Sequence, residues 1–169
     1  MIENIILFGS TGMLGNYCLK ILQNDYNIIA ITRKDYDIMD NNYNKLFNII
    51  NSYNDSVIIN CACSIPQRGI NNEMDCFITN SLFPKMLDKI ACQLGLKFIH
   101  VSTNCVFNFT NGNCDELDMP NETQSYGLSK ILGESENACV IRTSIIGEEI
   151  TTSRSLVEWV KSEKGNAVF

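Results

Sequence analysis

Apolar and polar residues fall in blocks along this chain, and the spacing inside the blocks changes from one to the next. Ile5-Ile6-Leu7-Phe8 is a continuous apolar run that stops at Gly9, the pattern of a strand buried on both faces. Residues 12–23 switch to helical spacing, with Leu14, Cys18, Leu19 and Leu22 on one face. A second buried strand is predicted over 27–31, a helix over 42–52, and a third strand at Val57-Ile58-Ile59. A longer helix is predicted over 75–94, with Pro84 forcing a break near Leu82 and Phe83 and Gly95 ending it. Residues 97–101 read as a fourth strand and 104–122, rich in Asn, Asp, Gly and Pro, as a loop. A helix over 125–137, a strand over 139–142 and a helix over 153–163 follow, the last with Leu156, Val157, Trp159 and Val160 expected in the core. Val168-Phe169 has the look of one more strand. Strands alternating with helices predict an α/β fold: a Rossmann-like doubly wound parallel sheet with helices on both faces.

The chemistry collects where strands end. Gly9-Ser10-Thr11-Gly12-Met13-Leu14-Gly15 joins the first strand to the first helix. Glycines at such a junction allow a tight turn and bring a pyrophosphate against backbone N–H groups at a helix N-terminus. The alternative is a strand–helix turn with no ligand. Arg33 and Lys34 follow the second strand, where basic side chains accommodate a ribose 2′-phosphate. They predict NADP(H) over NAD(H), against the alternative of a solvated basic pair. Asp37 and Asp40 are near enough in sequence to border the adenine or to be loop polar groups. Asn60, Cys61 and Ala62 end the third strand, where small residues let a cofactor lie against the backbone.

Tyr126 and Lys130 are one helical turn apart. A lysine ammonium beside the phenol would lower its pKa, making Tyr126 a general acid near neutral pH. Thr103, with Ser102 as second choice, would hydrogen-bond the substrate oxygen. Without the glycine loop upstream, a surface Tyr–Lys pair would be the better reading. His100, the sole histidine, lies in a predicted buried strand and is expected to be a packing residue with a satisfied ring.

Composition narrows the partners. The 169 residues suffice for one domain with a core, and a net charge of −6 with no basic stripe argues against nucleic acid and anionic membrane surfaces. The eight cysteines include no Cys-x-x-Cys, so neither a disulfide framework nor a metal site is expected, and a reduced interior is. The first apolar run is too short for a signal peptide and no stretch approaches a membrane span, which predicts a cytoplasmic protein.

These phrases in this order resemble the extended short-chain dehydrogenase/reductases, most of all the dTDP-4-dehydrorhamnose reductase group of nucleotide-sugar enzymes. Carrying the likeness with the glycine loop are Val57-Ile58-Ile59-Asn60-Cys61-Ala62, Asn80, Phe98-Ile99-His100-Val101-Ser102-Thr103-Asn104-Cys105-Val106-Phe107, Tyr126-Gly127-Leu128-Ser129-Lys130 and Ile141-Arg142-Thr143-Ser144-Ile145-Ile146-Gly147. The resemblance implies NAD(P)H-dependent reduction of a 4-keto sugar on a nucleotide, with Thr103, Tyr126 and Lys130 matching the family's catalytic trio. Residues 142–160 look most like reductases making deoxy or acetamido-deoxy sugars for surface polysaccharide. A homodimer is compatible with this.

Two departures stand out. Asn104 replaces the Asp that usually follows the Ser-Thr pair, and an amide keeps most of the carboxylate's hydrogen bonds. Family members also continue past this length into a region enclosing the sugar. Residues 1–150 are therefore expected to be the NAD(P)-binding domain and 151–169 the cut-short start of a substrate region. Such a chain is expected to bind NADP(H) without turning over a sugar. Cys105 stands where related GDP-fucose synthases carry an acid/base cysteine, but their second histidine is missing, so packing is the expectation and an epimerase-reductase the minor reading. The regulatory β subunit of methionine adenosyltransferase also resembles this family, which keeps a non-catalytic cofactor-binding role open.

Overall fold

The computed structural model describes residues 3–65, 73–108, 112, 114–148 and 155–162. Five strands form one parallel sheet: β1 (Asn4–Phe8), β2 (Asn27–Ile31), β3 (Ser56–Asn60), β4 (Lys97–Thr103) and β5 (Cys139–Thr143), in the order β2-β1-β3-β4-β5. The chain leaves β1 for β2 on one side and returns to β3 on the other. The reversal opens a crevice between the carboxyl ends of β1 and β3, where open α/β sheets bind ligands.

Side-chain alternation gives the sheet two buried faces. Ile6, Phe8, Ile58 and Phe98 pack beneath α2 (Tyr43–Asn51) and α4 (Phe83–Leu94), with Leu46, Ile50, Phe83, Leu87 and Ile90 completing that core. Ile5, Leu7 and Val57 point to the opposite face, where α1 (Met13–Leu22) packs on β1 and β2. The expected Rossmann-like doubly wound arrangement is therefore present. On the α1 side its cover stops short of β5, where Ile141 is 46% exposed.

Three expectations need correction. The break expected beside Pro84 falls a turn earlier, as a π-helical stretch Ile78–Leu82 between α3 (Glu73–Phe77) and α4. Pro84 sits in the first turn of α4, where its missing N–H costs nothing. The helix after the long loop, α5 (Ser125–Gly133), ends four residues before 137, because Glu134 turns to extended backbone and pairs with Arg142 of β5. Last, α6 (Leu156–Ser162) is not core: Leu156, Trp159 and Val160 are 54, 43 and 48% exposed. Lys161 ties it to Glu148 at the surface, and none of its residues is buried. The strand expected at Val168-Phe169 lies outside the described residues, among which no helix is long and apolar enough to cross a membrane.

His100 is fully buried in β4, as expected, but its ring is only half satisfied. Nδ1 accepts from the Asn60 amide at 3.2 Å, while Nε2 has no partner among the described residues. Burial, reinforced by the Lys130 and Lys85 ammonium groups, pushes its pKa down to about 3. The folded state thus excludes a proton that the unfolded chain binds below its ordinary value of 6.5. Stability should be fully present above pH 6.5 and be lost as pH falls toward 3. His100→Gln, which keeps an acceptor for Asn60, should flatten that limb in denaturant titrations compared across this range.

Candidate active site

The carboxyl ends of β1, β2 and β3 border a cleft of about 490 Å³. Gly9, Thr11 and Gly12 form one wall, Arg33, Tyr36 and Asp37 a second, and Cys61, Ala62 and Cys63 the floor. Gly9 is indispensable to this shape. Its φ is 77°, and a Cβ there would lie 2.5 Å from the Ala62 nitrogen and 2.7 Å from the Cys61 carbonyl carbon. A Cβ on Gly15 would lie 2.1 Å from the Gly9 oxygen, so both glycines bring backbone onto backbone. Gly12 is the N-cap of α1 and has no side chain to cap the first turn, which opens with Met13 and Leu14. That turn offers N–H groups and the positive end of the helix dipole to an anion. Ser10 is only 5% exposed and lies behind the loop.

The predicted basic pair divides. Arg33 lines the cleft, exposed, with Nε 3.9 Å from Asp37. Lys34 is exposed but is not part of the cleft wall; its charge instead helps to hold the Asp35 carboxyl below its usual range, after the hydrogen bonds from Thr32. Asn60 does not line the cleft either. It is fully buried, with Oδ1 accepting from Ala62 N at 3.0 Å and Nδ2 on His100, so it braces the floor from behind.

The proton-handling residues meet beside that floor. Tyr126 and Lys130 project from α5 toward the end of β4. The Tyr126 hydroxyl lies 3.9 Å from Cys63 Sγ, with Thr103 among its neighbours. Lys130 is 2% exposed and donates from Nζ to the Val101 carbonyl at 2.8 Å. Thr103 is buried, its hydroxyl accepting from Cys105 N at 3.2 Å. Ser102 points to the other face and donates to Glu134 at 2.6 Å, which removes it as the alternative hydroxyl. Cys105 is exposed, with its thiol toward Asn104.

One expectation about the phenol reverses. Burial raises the Tyr126 pKa, Cys63 adds to the rise, and the neighbouring Thr103 hydroxyl opposes it. Lys130 does not lower it here, because its ammonium is committed to the Val101 carbonyl and its own pKa is depressed by burial. The result is a phenol held protonated beside a threonine hydroxyl, an arrangement that can donate a proton to a substrate oxygen.

The sequence quoted Asn80 only as part of a motif. It is fully buried in the π-helical stretch, accepts from Ser64 N at 2.9 Å and donates to Ser64 O at 2.9 Å and Ser129 Oγ at 3.1 Å. Gly133 permits this: a Cβ there would lie 1.9 Å from the Asn80 carbonyl oxygen. A π-helical insertion is the kind of irregularity that accompanies functional sites, but nothing in local spacing marked it. A larger hollow of about 740 Å³ at the β5 edge, lined by Glu134 and Arg142, contains none of the predicted site residues.

Known proteins resemble this chain in sequence and fold. The chain matches the RmlD substrate binding domain over residues 3–161. It is 29% identical over 151 residues to a dTDP-4-dehydrorhamnose reductase of Aggregatibacter actinomycetemcomitans, covering 83% of this chain and 50% of that one. It is 27% identical over 163 residues to methionine adenosyltransferase 2 subunit beta of Bos taurus, covering 88% and 48%. The crystal structure of dTDP-4-dehydrorhamnose reductase from Yersinia enterocolitica superposes with a TM-score of 0.81 at 26% identity, covering 94% of this chain and 58% of that one. The chain spans about half the length of the curated relatives it matches. A family match of that extent, in a chain whose sheet superposes on a solved reductase, places this protein in the RmlD substrate binding domain family of extended short-chain dehydrogenase/reductases.

Proposed function

We propose that this chain carries the NADP(H)-binding and proton-donating half of a reductase acting on a nucleotide-linked 4-keto-6-deoxy sugar. The observation that carries the reading is the meeting of Thr103 and a protonated Tyr126 beside the floor of a glycine-built cleft. Members of the family are NAD(P)H-dependent oxidoreductases. Residues 1–150 are the cofactor-binding domain in this reading, and 151–169 lead into the part that encloses the sugar.

Gly9, Ser10, Thr11, Gly12, Met13 and Leu14 receive the pyrophosphate at the start of α1, and Cys61 and Ala62 lie against the cofactor with Asn60 behind them. The cradle fits, since a side chain at Gly9 or Gly15 would collide with backbone. The bound dinucleotide supplies the hydride. Thr103 positions the sugar carbonyl oxygen, and Tyr126 Oη delivers its proton there. Lys130, held by the Val101 carbonyl, fixes α5 and with it Tyr126 against the end of β4. A 4-keto sugar of the rhamnose or acetamido-deoxy type, destined for surface polysaccharide, suits the family likeness.

Arg33 supports NADP(H) over NAD(H). A 2′-phosphate paired with its guanidinium should contribute about 1.5–3 kcal/mol, or roughly tenfold or more in affinity. Arg33→Ala should abolish the preference for NADPH in calorimetric titrations, and equal affinities in the unaltered protein would defeat the assignment. A second reading is favoured by the match to the methionine adenosyltransferase subunit: a cofactor-binding subunit without turnover. Supplying a dTDP-4-keto-6-deoxy sugar with NADPH to this chain and to any longer form that contains it separates the two, since absorbance loss at the nicotinamide band requires catalysis.

A further inference from the structure

Cys63 lies on the cleft floor, just past the end of β3, and is exposed. Its sulfur is 3.9 Å from the Tyr126 hydroxyl oxygen, a long sulfur hydrogen bond. A thiol has one hydrogen to give, and here it goes to the Ser64 carbonyl at 3.7 Å. The sulfur lone pairs are left for the phenol, so the Tyr126 O–H is the donor of the pair.

Both ends of this contact are braced. On the sulfur side, Ser64 N and O are each held by the Asn80 amide at 2.9 Å. On the phenol side, Ser129 Oγ accepts from Asn80 Nδ2 at 3.1 Å and donates to the Tyr126 carbonyl at 2.7 Å. The contact closes a ring that runs from Cys63 through Ser64, Asn80 and Ser129 to Tyr126 and back to the sulfur.

We propose that Cys63 is a positioning residue for the proton donor: its sulfur keeps the Tyr126 hydroxyl aimed across the cleft floor and yields it to the carbonyl oxygen of the substrate. This deepens the function proposed above and rests on it; the contact between the two side chains does not.

Sulfur suits the task because it is a weak acceptor. A carboxylate beside the phenol would hold the proton against the substrate, and a methyl group would leave the O–H with nothing to point it. Sulfur directs the hydroxyl at rest, and a carbonyl oxygen, the stronger acceptor, takes over on arrival. No bond to sulfur forms or breaks, and the Cys63 hydrogen stays on the Ser64 carbonyl.

Two measurements test this. The first uses the whole chain and needs neither cofactor nor sugar. A hydrogen bond to the sulfur favours the thiolate, the form that alkylates. Tyr126→Phe removes that donor and also widens access to Cys63, so by packing alone labelling would speed up. Iodoacetamide labelling at neutral pH, read by peptide mass, should instead slow at Cys63 by about threefold, with exposed Cys92 on α4 as the internal reference. An unchanged or faster rate overturns the proposal. The second uses any form containing this chain that reduces a nucleotide 4-keto sugar. Cys63→Ala should lower kcat by about fivefold, the size of one neutral hydrogen bond, and move KM for the sugar by less than about twofold. Cys63→Ser, which keeps an acceptor on a shorter arm, should recover part of the loss. A raised KM with kcat intact, an unaltered kcat in Cys63→Ala, or a serine variant no better than alanine would each overturn it. Slowed labelling without turnover in any form sinks the proposed function instead, because labelling reports the contact and not the reaction.

Discussion

Gly9→Ala is expected to lose NADPH binding and most of its folding stability. Two penalties add at this position. A φ of 77° costs a residue with a Cβ about 1–3 kcal/mol. The methyl group would also lie 2.5 Å from the Ala62 nitrogen, with only backbone to give way, and overpacking of that kind costs about 1–3 kcal/mol. The total, about 2–6 kcal/mol, is a large share of what holds an average domain together. Gly95→Ala is the control, because φ is 66° there but nothing stands within 4 Å of the added carbon. Urea melts should show a much larger shift for Gly9→Ala than for Gly95→Ala, and NADPH should raise the melting temperature only of the latter. Similar melts for both would mean that the loop has room the distances deny.

Tyr126→Phe should reduce turnover of a nucleotide 4-keto sugar by about 10²–10⁴-fold, in any preparation containing this chain that shows such turnover, with NADPH affinity retained. The ring stays, so packing against α5 and the floor of the cleft is preserved; what goes is the proton. The pH dependence separates this from a structural role. Burial holds the phenol pKa above its ordinary value of 10 until substrate and cofactor arrive, so the acid should remain loaded throughout the neutral range. Turnover limited by proton delivery should thus not decline between neutral and mildly alkaline pH in the unaltered protein. The variant's residual rate should show no dependence on this group. A Phe variant with full activity would move the acid elsewhere.

How far the sequence reached depends on the range of the interactions concerned. The apolar runs marked the strands most plainly at β1 and β3, whose side chains are buried almost throughout. The glycine loop was equally clear, because φ and backbone contact are local demands. Strand ends were less so: β4 runs on to Thr103 because Ser102 and Thr103 pair with Arg142 and Thr143, forty residues away. The end of α5 was hidden too, since it is fixed by the ion pair of Glu134 with Arg142, a residue of the next strand. Tyr126 and Lys130 were correctly placed on one helix. Spacing along a helix does not say where an ammonium finds its best acceptor, and Lys130 found the Val101 carbonyl. Ser102 and Thr103 differed only by the alternation of a strand, which put one beside Tyr126 and the other on Glu134. Asn80 and the exposed side of α6 both depend on partners remote in sequence, so no window of neighbouring residues contained the information.

Asn80 has a mechanical meaning for the chemistry. Its amide grips both backbone groups of Ser64, at the end of the cleft floor, and the hydroxyl of Ser129, one residue before Lys130. The floor belongs to β3 and the acid to α5, two elements separated by more than sixty residues of chain. Besides the path through β4, the clamped Asn80 side chain joins them directly, a gauge block between the surface on which a cofactor would rest and the helix that carries Tyr126. Thermal motion that lifts the floor carries the helix along with it. A displacement of α5 is thus felt at the cleft floor through one amide group as well as through the sheet.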